Sequence, residues 1–253
     1  MSQNFFQLLK NENPLKIVGT INAFSALLAK RKGHQAIYLS GAGVANASYG
    51  LPDLALTSRD NVLEDLRRIK GVCDLPILVD CDTGWGSGLN ISKTIKEMIN
   101  AGADAVHLED QVSEKRCGHR PGKEIVSSDE MEDRIKAAKD SIDNKNFMLM
   151  ARTDAFSKEG ISSVIDRSNA YIEAGADSIF PEAITKLDDY LEISKNVNAP
   201  ILANITEFGL TPMFEINELK NSGVKMILYP LSAFRAMSKA AEEIYEELAE
   251  QET

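Results

Sequence analysis

The segment KRCGHRPGK, residues 115–123, gathers four permanent cations and one histidine around a single thiol, Cys117. Its two glycines and its proline disfavour a regular helix or strand. A thiol beside cations is expected to have a lowered pKa. It could act as a nucleophile or as a general acid that protonates a carbanion, with His119 tuning it. We predict a loop that delivers Cys117 to an anionic ligand; the alternative is an ordinary solvated surface loop.

A second group of reactive side chains is acidic. Asp80 and Asp82 in VDCDTGWG, residues 79–86, are two positions apart on a predicted strand, so both point to the same face. Glu109 at the end of the next strand could bring a third carboxylate to this face. Three carboxylates could share a hard cation, and Mg²⁺ suits such a site. The alternative is that one aspartate caps the following segment while the other pairs with a lysine.

Further polar residues could bind anions. Arg152 and Arg235 offer the planar fork that matches a carboxylate, and Asn204 and Thr206 offer neutral hydrogen bonds. The glycine-rich stretch SGAGVANASYG, residues 40–50, could bind another carboxylate through its backbone N–H groups. A metal site together with several anion sites predicts a small polyanionic acid as the ligand.

The elements that must position these residues are short apolar runs followed by helical patterns. The runs are nearly continuous in apolar character, as expected for parallel strands covered on both faces. They lie at 17–22, 36–41, 76–82, 105–110, 147–153, 178–183, 200–206 and 226–230. Helical patterns lie between them at 90–103, 127–142, 161–176 and 213–223, and a final amphipathic helix begins at residue 232.

This alternation predicts an α/β fold, a single (β/α)8 TIM-type barrel domain over residues 1–253, with a doubly wound open sheet as the alternative. The segments 99–110 and 172–183 share an AGAD turn followed by a strand and an acid, which fits repeated βα units. Polar or ionisable residues end most of the predicted strands. In a barrel, the carboxyl ends of the strands form the active site.

Composition narrows the class of protein. The chain has 253 residues and a net charge of −10, with 38 acids against 28 bases, which argues against nucleic acid or an anionic membrane as partner. No apolar run approaches the length that spans a bilayer. The three cysteines have no metal-type spacing, which favours free thiols in a reducing compartment. We therefore expect a cytoplasmic enzyme.

Taken together, the motifs resemble the isocitrate lyase/phosphoenolpyruvate mutase superfamily over almost the whole chain. Within it they look most like the 2-methylisocitrate lyases, because the mutases lack the cysteine in KRCGH. The motifs that carry the resemblance are YLSGAGVA (38–45), GLPDLALT (50–57), VDCDTGWG (79–86), HLEDQVSEKRCGHRPGK (107–123), ARTDA (151–155), FPEAI (180–184), NITEFG (204–209) and YPLSAFRAM (229–237).

The resemblance implies retro-aldol cleavage of 2-methylisocitrate, a tricarboxylate, to pyruvate and succinate. It implies Mg²⁺ near Asp80, Asp82 and Glu109, Tyr38 as a candidate base, and Cys117 as the acid assisted by His119. Two alternatives stay open, an oxaloacetate or α-keto acid hydrolase or decarboxylase, and an inactive relative that binds dicarboxylates. The implied substrate contacts are Ser40, Gly41, Ala42, Cys117, Gly118, Arg152, Glu182, Asn204, Ile205, Thr206 and Arg235.

The sequence also departs from the superfamily's pattern. Ala42 replaces a glycine of SGGGVA, and this is tolerable if φ is negative there. Phe180 and Leu228 are similar to the residues of the methyl-accepting branch. We expect the C-terminus to be shorter than in relatives, without a further substrate-binding arginine. The resemblance implies a homotetramer in which terminal helices are exchanged between subunits, with a dimer as the alternative.

Overall fold

The computed structural model describes residues 3–251 and contains all eight predicted strands, each followed by helical structure. The strands are β1 (Leu15–Gly19), β2 (Ala36–Leu39), β3 (Ile77–Asp80), β4 (Ala105–Glu109), β5 (Met148–Thr153), β6 (Ser178–Pro181), β7 (Leu202–Asn204) and β8 (Met226–Tyr229). The helices are α1 (Phe5–Asn11), α2 (Ala23–Arg31), α3 (Gly41–Gly43), α4 (Arg59–Lys70), α5 (Gly88–Asn100), α6 (Ser128–Lys139), α7 (Phe156–Glu173), α8 (Leu187–Asn196), α9 (Ile216–Asn221) and α10 (Ser232–Glu250), with a π-helical turn at Val44–Ser48.

The strands form a nearly closed parallel barrel. Their order is β6-β5-β4-β3-β2-β1-β8-β7, so β1 lies between β2 and β8. A doubly wound sheet would reverse its strand order at a switch point, and this order does not. Between β6 and β7, the described residues form one parallel bridge, Ile179 with Ile201, instead of a full ladder. The predicted barrel is therefore confirmed, with one weak seam.

Two apolar cores hold the barrel together. Side chains inside the barrel, among them Leu78, Met150 and Phe180, pack with Phe5 and Leu8 of α1. Between the sheet and the surrounding helices lies a larger cluster of Ile, Leu and Val side chains. Asparagine contacts between α1 and the segment before β5 place α1 at the amino ends of the strands. The interior is thus apolar at the amino end, which leaves the carboxyl end for polar residues.

The helix boundaries lie at local stop and start signals in the sequence. Gly102, Gly175 and Gly223 follow α5, α7 and α9 with φ of 97°, 117° and 84°, a region that glycine adopts without strain. The hydroxyl of Ser127 accepts a hydrogen bond from an N–H in the first turn of α6. α7 begins earlier than predicted, because a short helical segment precedes a kink at Gly160.

The last helix lies on the surface. None of the residues of α10 is buried, and its apolar side chains include Ile244, Tyr245 and Leu248, all exposed. A groove of about 350 Å³ lies beside its first turns, lined partly by Leu28 and Met237. Among residues 3–251, no helix combines the length and the apolar character needed to cross a membrane.

Candidate active site

A cavity of about 270 Å³ lies at the carboxyl ends of the strands, where the sequence predicted the active site. Its size is close to the lower limit of small-molecule sites, about 300 Å³. Among the predicted residues, those that line it are Tyr38, Ser40, Ala42, Asp80, Cys117, Gly118, His119, Arg152, Glu182, Asn204, Thr206 and Arg235.

Two predicted contact residues do not line the cavity. The side chain of Ile205 packs in the outer core, and its N–H donates to the carbonyl of Leu228 at 2.8 Å. The N–H of Gly41 donates to Asp80 Oδ2 at 3.0 Å, so it is not free for a ligand. The side chain of Ile205 and the N–H of Gly41 are therefore already engaged within the protein. Ala42 has no positive φ, so this alanine fits the turn.

Asp80, Asp82 and Glu109 form a buried acidic cluster beside the cavity. One carboxylate oxygen from each lies within 4.8 Å of the others. Burial raises the pKa of Asp82 to about 6 and also raises that of Glu109. Burial acts in the same direction on Asp80, but the cations of Lys115 and Arg152 help to lower its pKa to about 2. The cluster therefore concentrates negative charge that lacks full compensation.

The cluster also meets the requirements of a metal site. Glu109 Oε1 is buried and has no hydrogen-bond partner among residues 3–251, and carboxylate oxygens are the ligands of hard cations. The alternative pairing with lysine is present as well, since Lys115 Nζ lies 2.8 Å from Asp82 and 2.5 Å from Asp53. Lys115 and Arg152 do not neutralise the four carboxylates of Asp53, Asp80, Asp82 and Glu109, so the last three could hold a divalent ion.

Tyr38 and His107 form a buried pair next to the acids. Tyr38 Oη lies 2.9 Å from His107 Nε2 and 3.3 Å from Asp80 Oδ2. Burial raises the pKa of Tyr38 well above its usual value and lowers that of His107 to about 4. A neutral phenol thus meets a neutral imidazole. His107 was not among the predicted site residues, although its position two residues before Glu109 puts both on one face of β4.

The neutral imidazole of His107 predicts a loss of stability in mild acid. Unfolding frees the imidazole to bind a proton below pH 6.5, whereas the folded protein binds it only near pH 4. Between pH 7 and pH 5 the free energy of unfolding should fall by about 2 kcal/mol from this group alone. Denaturant titrations in the presence of a chelator would measure this. In His107→Gln the fall should be smaller by that amount; an equal fall would contradict the expectation.

The loop that carries Cys117 is closed over the cavity. Gln111 pairs with Ile125 in an antiparallel bridge at its base. The Gln111 side-chain amide donates to the carbonyl of Arg116 at 2.9 Å and accepts from its N–H at 3.1 Å. These contacts fix the backbone immediately before Cys117, so the thiol has a defined place at the cavity wall.

The predicted lowering of the Cys117 pKa is wrong. The side chain is half-buried, and burial raises its pKa. The carboxylates of Asp53 and Glu182 act in the same direction, while Arg152 opposes them. Lys115 does not activate the thiol because it is paired with two aspartates. The thiol is therefore kept protonated, as a general acid requires.

Arg152 is surrounded by acids. Its Nε and Nη2 donate to the two oxygens of Asp154 at 2.9 and 3.1 Å. Nη1 lies 3.1 Å from Glu109, and Nη2 lies 3.4 Å from Glu182. The guanidinium is therefore held in one orientation at the cavity wall.

His119 links two loops through Glu182. Its Nδ1 accepts a hydrogen bond from the N–H of Leu210 at 3.1 Å, so Nε2 carries the proton in the neutral ring. Nε2 lies 3.3 Å from Glu182 Oε1, which also accepts from Asn204 Nδ2 at 3.3 Å. With both ring nitrogens occupied, His119 holds the loop in place.

Arg235 reaches the cavity from the first turn of α10. Its Nη1 donates to Thr206 Oγ1 at 2.9 Å and to a Glu207 carboxylate oxygen at 2.7 Å. The guanidinium lies 5.4 Å from the centre of the Phe208 ring. Within the described part of the chain, Nε and Nη2 have no hydrogen-bond partner, so this edge of the guanidinium is not engaged by the protein.

Gly118 is predicted to be essential for loop closure. A Cβ at this position would lie 2.4 Å from both Arg152 Nη2 and the Glu182 side chain. Gly118→Ala should displace the loop, which we expect to raise KM about tenfold or more. Gly88→Ala is the control, because its Cβ would meet Ala137 at an ordinary 3.5 Å. Steady-state kinetics of both variants would check this, and an unchanged KM in Gly118→Ala would contradict it.

Sequence reasoning did not assign roles to several residues of the cavity wall. Asp53 lies in GLPDLALT and pairs with Lys115, and Glu207 in NITEFG pairs with Arg235. Both residues lie in motifs that carry the family resemblance, but an acid in a loop gives no signal of its partner. Only the fold shows that each meets a cation from a distant segment.

Comparisons with known proteins agree with this geometry. The family "Phosphoenolpyruvate phosphomutase" matches residues 5–249. The chain is 58% identical over 250 residues to the 2-methylisocitrate lyase of Escherichia coli (strain K12), covering 98% of this chain and 84% of that one. It is 43% identical over 253 residues to the 2-methylisocitrate lyase of Halalkalibacterium halodurans, covering 100% and 83%.

Solved structures show the same fold. An oxaloacetate acetylhydrolase bound to 3,3-difluorooxalacetate has a TM-score of 0.92 at 30% identity, covering 96% of this chain and 84% of the other. A 2,3-dimethylmalate lyase has a TM-score of 0.91 at 31% identity, covering 95% and 82%. The chain therefore belongs to the phosphoenolpyruvate mutase/isocitrate lyase superfamily and, within it, to the 2-methylisocitrate lyase family.

Proposed function

We propose that this protein is an Mg²⁺-dependent lyase that cleaves 2-methylisocitrate to pyruvate and succinate. The observation that carries the proposal is the closed loop, which sets a protonated thiol at the wall of a cavity that three arginines also line, beside the carboxylate cluster. A tricarboxylate needs cationic partners. Arg152 on β5 and Arg235 at the start of α10 provide two of them. The identity to 2-methylisocitrate lyases supports the same substrate.

Each substrate-binding residue has a distinct part in the proposal. The free edge of Arg235 suits one carboxylate of the substrate in a bidentate way. Ser40, Thr206 and Asn204 supply neutral hydrogen bonds along the wall, and Arg152 binds the carboxylate on which charge develops. The N–H groups near Gly118 and Ala42 complete the polar surface. Donors fixed before the reaction lose little free energy to reorganisation.

Three proton transfers accompany the cleavage. Tyr38 accepts the hydroxyl proton while it passes its own proton to His107 Nε2, 2.9 Å away. The carbon–carbon bond breaks as the hydroxyl-bearing carbon becomes the carbonyl carbon of pyruvate. The electron pair remains on the succinate fragment, and Cys117 protonates it. Because burial raises the pKa of Cys117, the thiol retains its proton until this step.

Asp80, Asp82 and Glu109 would hold the metal ion. When bound, Mg²⁺ supplies Lewis-acid stabilisation of the negative charge that develops on substrate oxygens. The unpaired Glu109 Oε1 and the raised pKa values of Asp82 and Glu109 support a cation site at these acids.

Phe180 and Leu228 are proposed to set the preference for the methyl group. Both lie in the apolar cluster inside the barrel, and Phe180 also lines the cavity. A pocket of this kind gains about 1–3 kcal/mol from one methyl group, or about 10–200-fold in kcat/KM. Isocitrate should therefore be a poor substrate.

The direct test is pyruvate release from 2-methylisocitrate with and without Mg²⁺, beside glyoxylate release from isocitrate. Pyruvate release that requires Mg²⁺ and exceeds the isocitrate rate would support the proposal. Oxaloacetate hydrolysis, measured in parallel, would reveal the hydrolase alternative. A folded protein that binds succinate but turns over none of these substrates would instead be an inactive relative, and the lyase proposal would fail.

We further propose a single cytoplasmic barrel domain that assembles as a homotetramer, or as a dimer, by exchange of α10 between subunits. The support is physical: α10 buries none of its residues, and an apolar groove lies beside its first turns. A helix with an exposed apolar stripe gains free energy by packing against a partner. The three cysteines are free, as expected in a reducing compartment.

The proposed exchange predicts an effect of charges on the apolar stripe of α10. Ile244→Glu combined with Leu248→Glu should shift the protein toward monomer, because two buried carboxylates would oppose the contact. Light scattering after size exclusion measures the mass. The control is Glu243→Gln with Glu247→Gln, on the same helix. A mass that stays the same in both double variants would contradict the exchange.

A further inference from the structure

Lys123, at the end of the loop that carries Cys117, is unusual because it is buried. Only 5% of the residue is exposed, and its Nζ lies 2.8 Å from Asp154 Oδ1. Lysine is almost never fully buried unless it is paired. Nothing in the chemistry described above uses this ammonium group, so its burial requires another explanation.

The partner of Lys123 is also the partner of Arg152. Asp154 accepts from Lys123 through Oδ1 and from Arg152 through both oxygens, at 2.9 and 3.1 Å. One carboxylate thus joins the loop to the arginine at the cavity wall. Arg152 is the cation nearest to the two acids Glu109 and Glu182, so its orientation affects the whole wall.

Asp154 is itself fixed from behind. Its N–H donates to Asp110 Oδ1 at 2.8 Å, and Asp110 Oδ2 accepts from Thr153 at 2.7 Å and from Tyr171 at 2.9 Å. All of these groups are buried. Asp154 therefore keeps its position when the loop moves, and closure of the loop must bring Lys123 to Asp154.

The charges around Arg152 and Asp154 explain why a lysine is needed at position 123. Three carboxylates, those of Glu109, Asp154 and Glu182, surround the single guanidinium of Arg152. Lys123 neutralises Asp154, which leaves the charge of Arg152 less cancelled and available to an anionic ligand. Without Lys123, Asp154 would draw on Arg152 alone, and Arg152 would attract a ligand carboxylate more weakly.

We propose that Lys123 is a positioning residue that couples closure of the loop at 115–122 to the orientation and effective charge of Arg152. The inference rests on the proposed function, in which Arg152 binds a substrate carboxylate. The loop then closes only when its returning end is anchored on Asp154. Cys117, six residues before Lys123, is brought to the cavity by the same anchor.

The test compares Lys123→Met, which keeps the length without the charge, with Lys123→Arg, which keeps the charge. Lys136→Met on α6 is the matched control, because Lys136 is an exposed lysine. Three quantities are measured: trypsin cleavage after Arg116 without ligand, succinate affinity with Mg²⁺ by calorimetry, and KM and kcat for 2-methylisocitrate. The N–H and the carbonyl of Arg116 both bond to the Gln111 side chain, so cleavage there requires this part of the loop to open.

Lys123→Met should accelerate cleavage after Arg116 and weaken succinate binding, each by about tenfold or more, and raise KM more than it lowers kcat. Lys123→Arg should restore most of each value, and Lys136→Met should match the original protein. A folded Lys123→Met with unchanged cleavage and unchanged succinate affinity would overturn the proposal. If Lys123→Met does not fold, Lys123→Gln, which can still donate to Asp154, replaces it with intermediate effects expected; values equal to those of the original protein would overturn the proposal.

These measurements separate the two proposals. Cleavage and succinate binding do not depend on turnover, so they test the role of Lys123 even if the original protein releases no pyruvate. In that case the lyase proposal fails while the anchor stands. If the original protein releases pyruvate and Lys123→Met changes none of the three quantities, the lyase proposal stands and the proposal for Lys123 fails.

Discussion

Replacing Cys117 with serine should abolish nearly all turnover of 2-methylisocitrate while leaving ligand binding intact. A hydroxyl is a much weaker acid than a thiol, so protonation of the succinate fragment would lose its donor. General acid catalysis is worth about 10²–10⁴-fold, and kcat should fall by this amount. Pyruvate release measures kcat, and calorimetry with succinate and Mg²⁺ should give an affinity within about threefold of the original, since the two side chains have similar size.

The control for this variant is Cys73→Ser. Cys73 is a buried thiol that donates to the carbonyl of Ala26 and does not line the cavity. It should retain nearly full kcat. Retention of more than about a tenth of the original kcat in Cys117→Ser would remove the thiol from the role of general acid.

The pH dependence of kcat gives an independent check on Cys117. Burial raises the pKa of the thiol above its usual 9.0, so the protonated form that donates the proton persists throughout the neutral range. The expected profile therefore shows no loss of kcat with rising pH until above pH 9 from this group. A fall centred between pH 6 and pH 8 that disappears in Cys117→Ser would mean that the thiol ionises early, as a nucleophile would.

Removal of the metal, or of one carboxylate that would hold it, is expected to have an effect of similar size. Treatment with a chelator should abolish pyruvate release, and Mg²⁺ should restore it. Asp80→Asn should weaken Mg²⁺ binding and lower kcat/KM by about 10³-fold, because several kcal/mol of charge stabilisation depend on the ion. Calorimetry with Mg²⁺ measures binding without reference to activity.

A matched control for Asp80→Asn is Asp65→Asn. Asp65 is also buried, but it pairs with Ser48 and Arg68 on α4, away from the carboxylate cluster. The Mg²⁺ affinity of the Asp65→Asn variant should equal that of the original protein. Equal Mg²⁺ affinity in Asp80→Asn would mean that the cluster does not hold the ion. Full activity after exhaustive chelation would contradict metal dependence altogether.

The loop that carries Cys117 shows that a charge pattern can be identified correctly while its effect on a pKa is predicted wrongly. The cations of KRCGHRPGK were expected to lower the pKa of Cys117. In the fold, Lys115 pairs with Asp53 and Asp82, and Lys123 pairs with Asp154. Lys115 and Lys123 therefore bind the loop to the rim of the barrel. Burial then has the largest effect on the pKa of Cys117 and raises it.

Much of the fold could be predicted because local patterns carry it. Each strand is a nearly continuous apolar run in the sequence, because both of its faces are covered. Each of the eight predicted runs contains one strand of the structure or overlaps it. The helix ends at Gly102 and Gly175 followed from the need for a positive φ. Most of the site was predictable for a related reason: parallel strands in a barrel end at the same rim, so residues at their carboxyl ends meet.

The sequence by itself determined which elements form and that polar residues at the carboxyl ends of the strands reach the rim, because these depend on spacing along the chain. It did not determine that Tyr38 and His107 share a hydrogen bond, that Ile205 points into the core, or that α10 lies unburied on the surface. Those outcomes depend on distances between residues far apart in the chain. The pKa of Cys117 depends on the same distances, since burial and charge pairing act through space, and only the tertiary structure decides them.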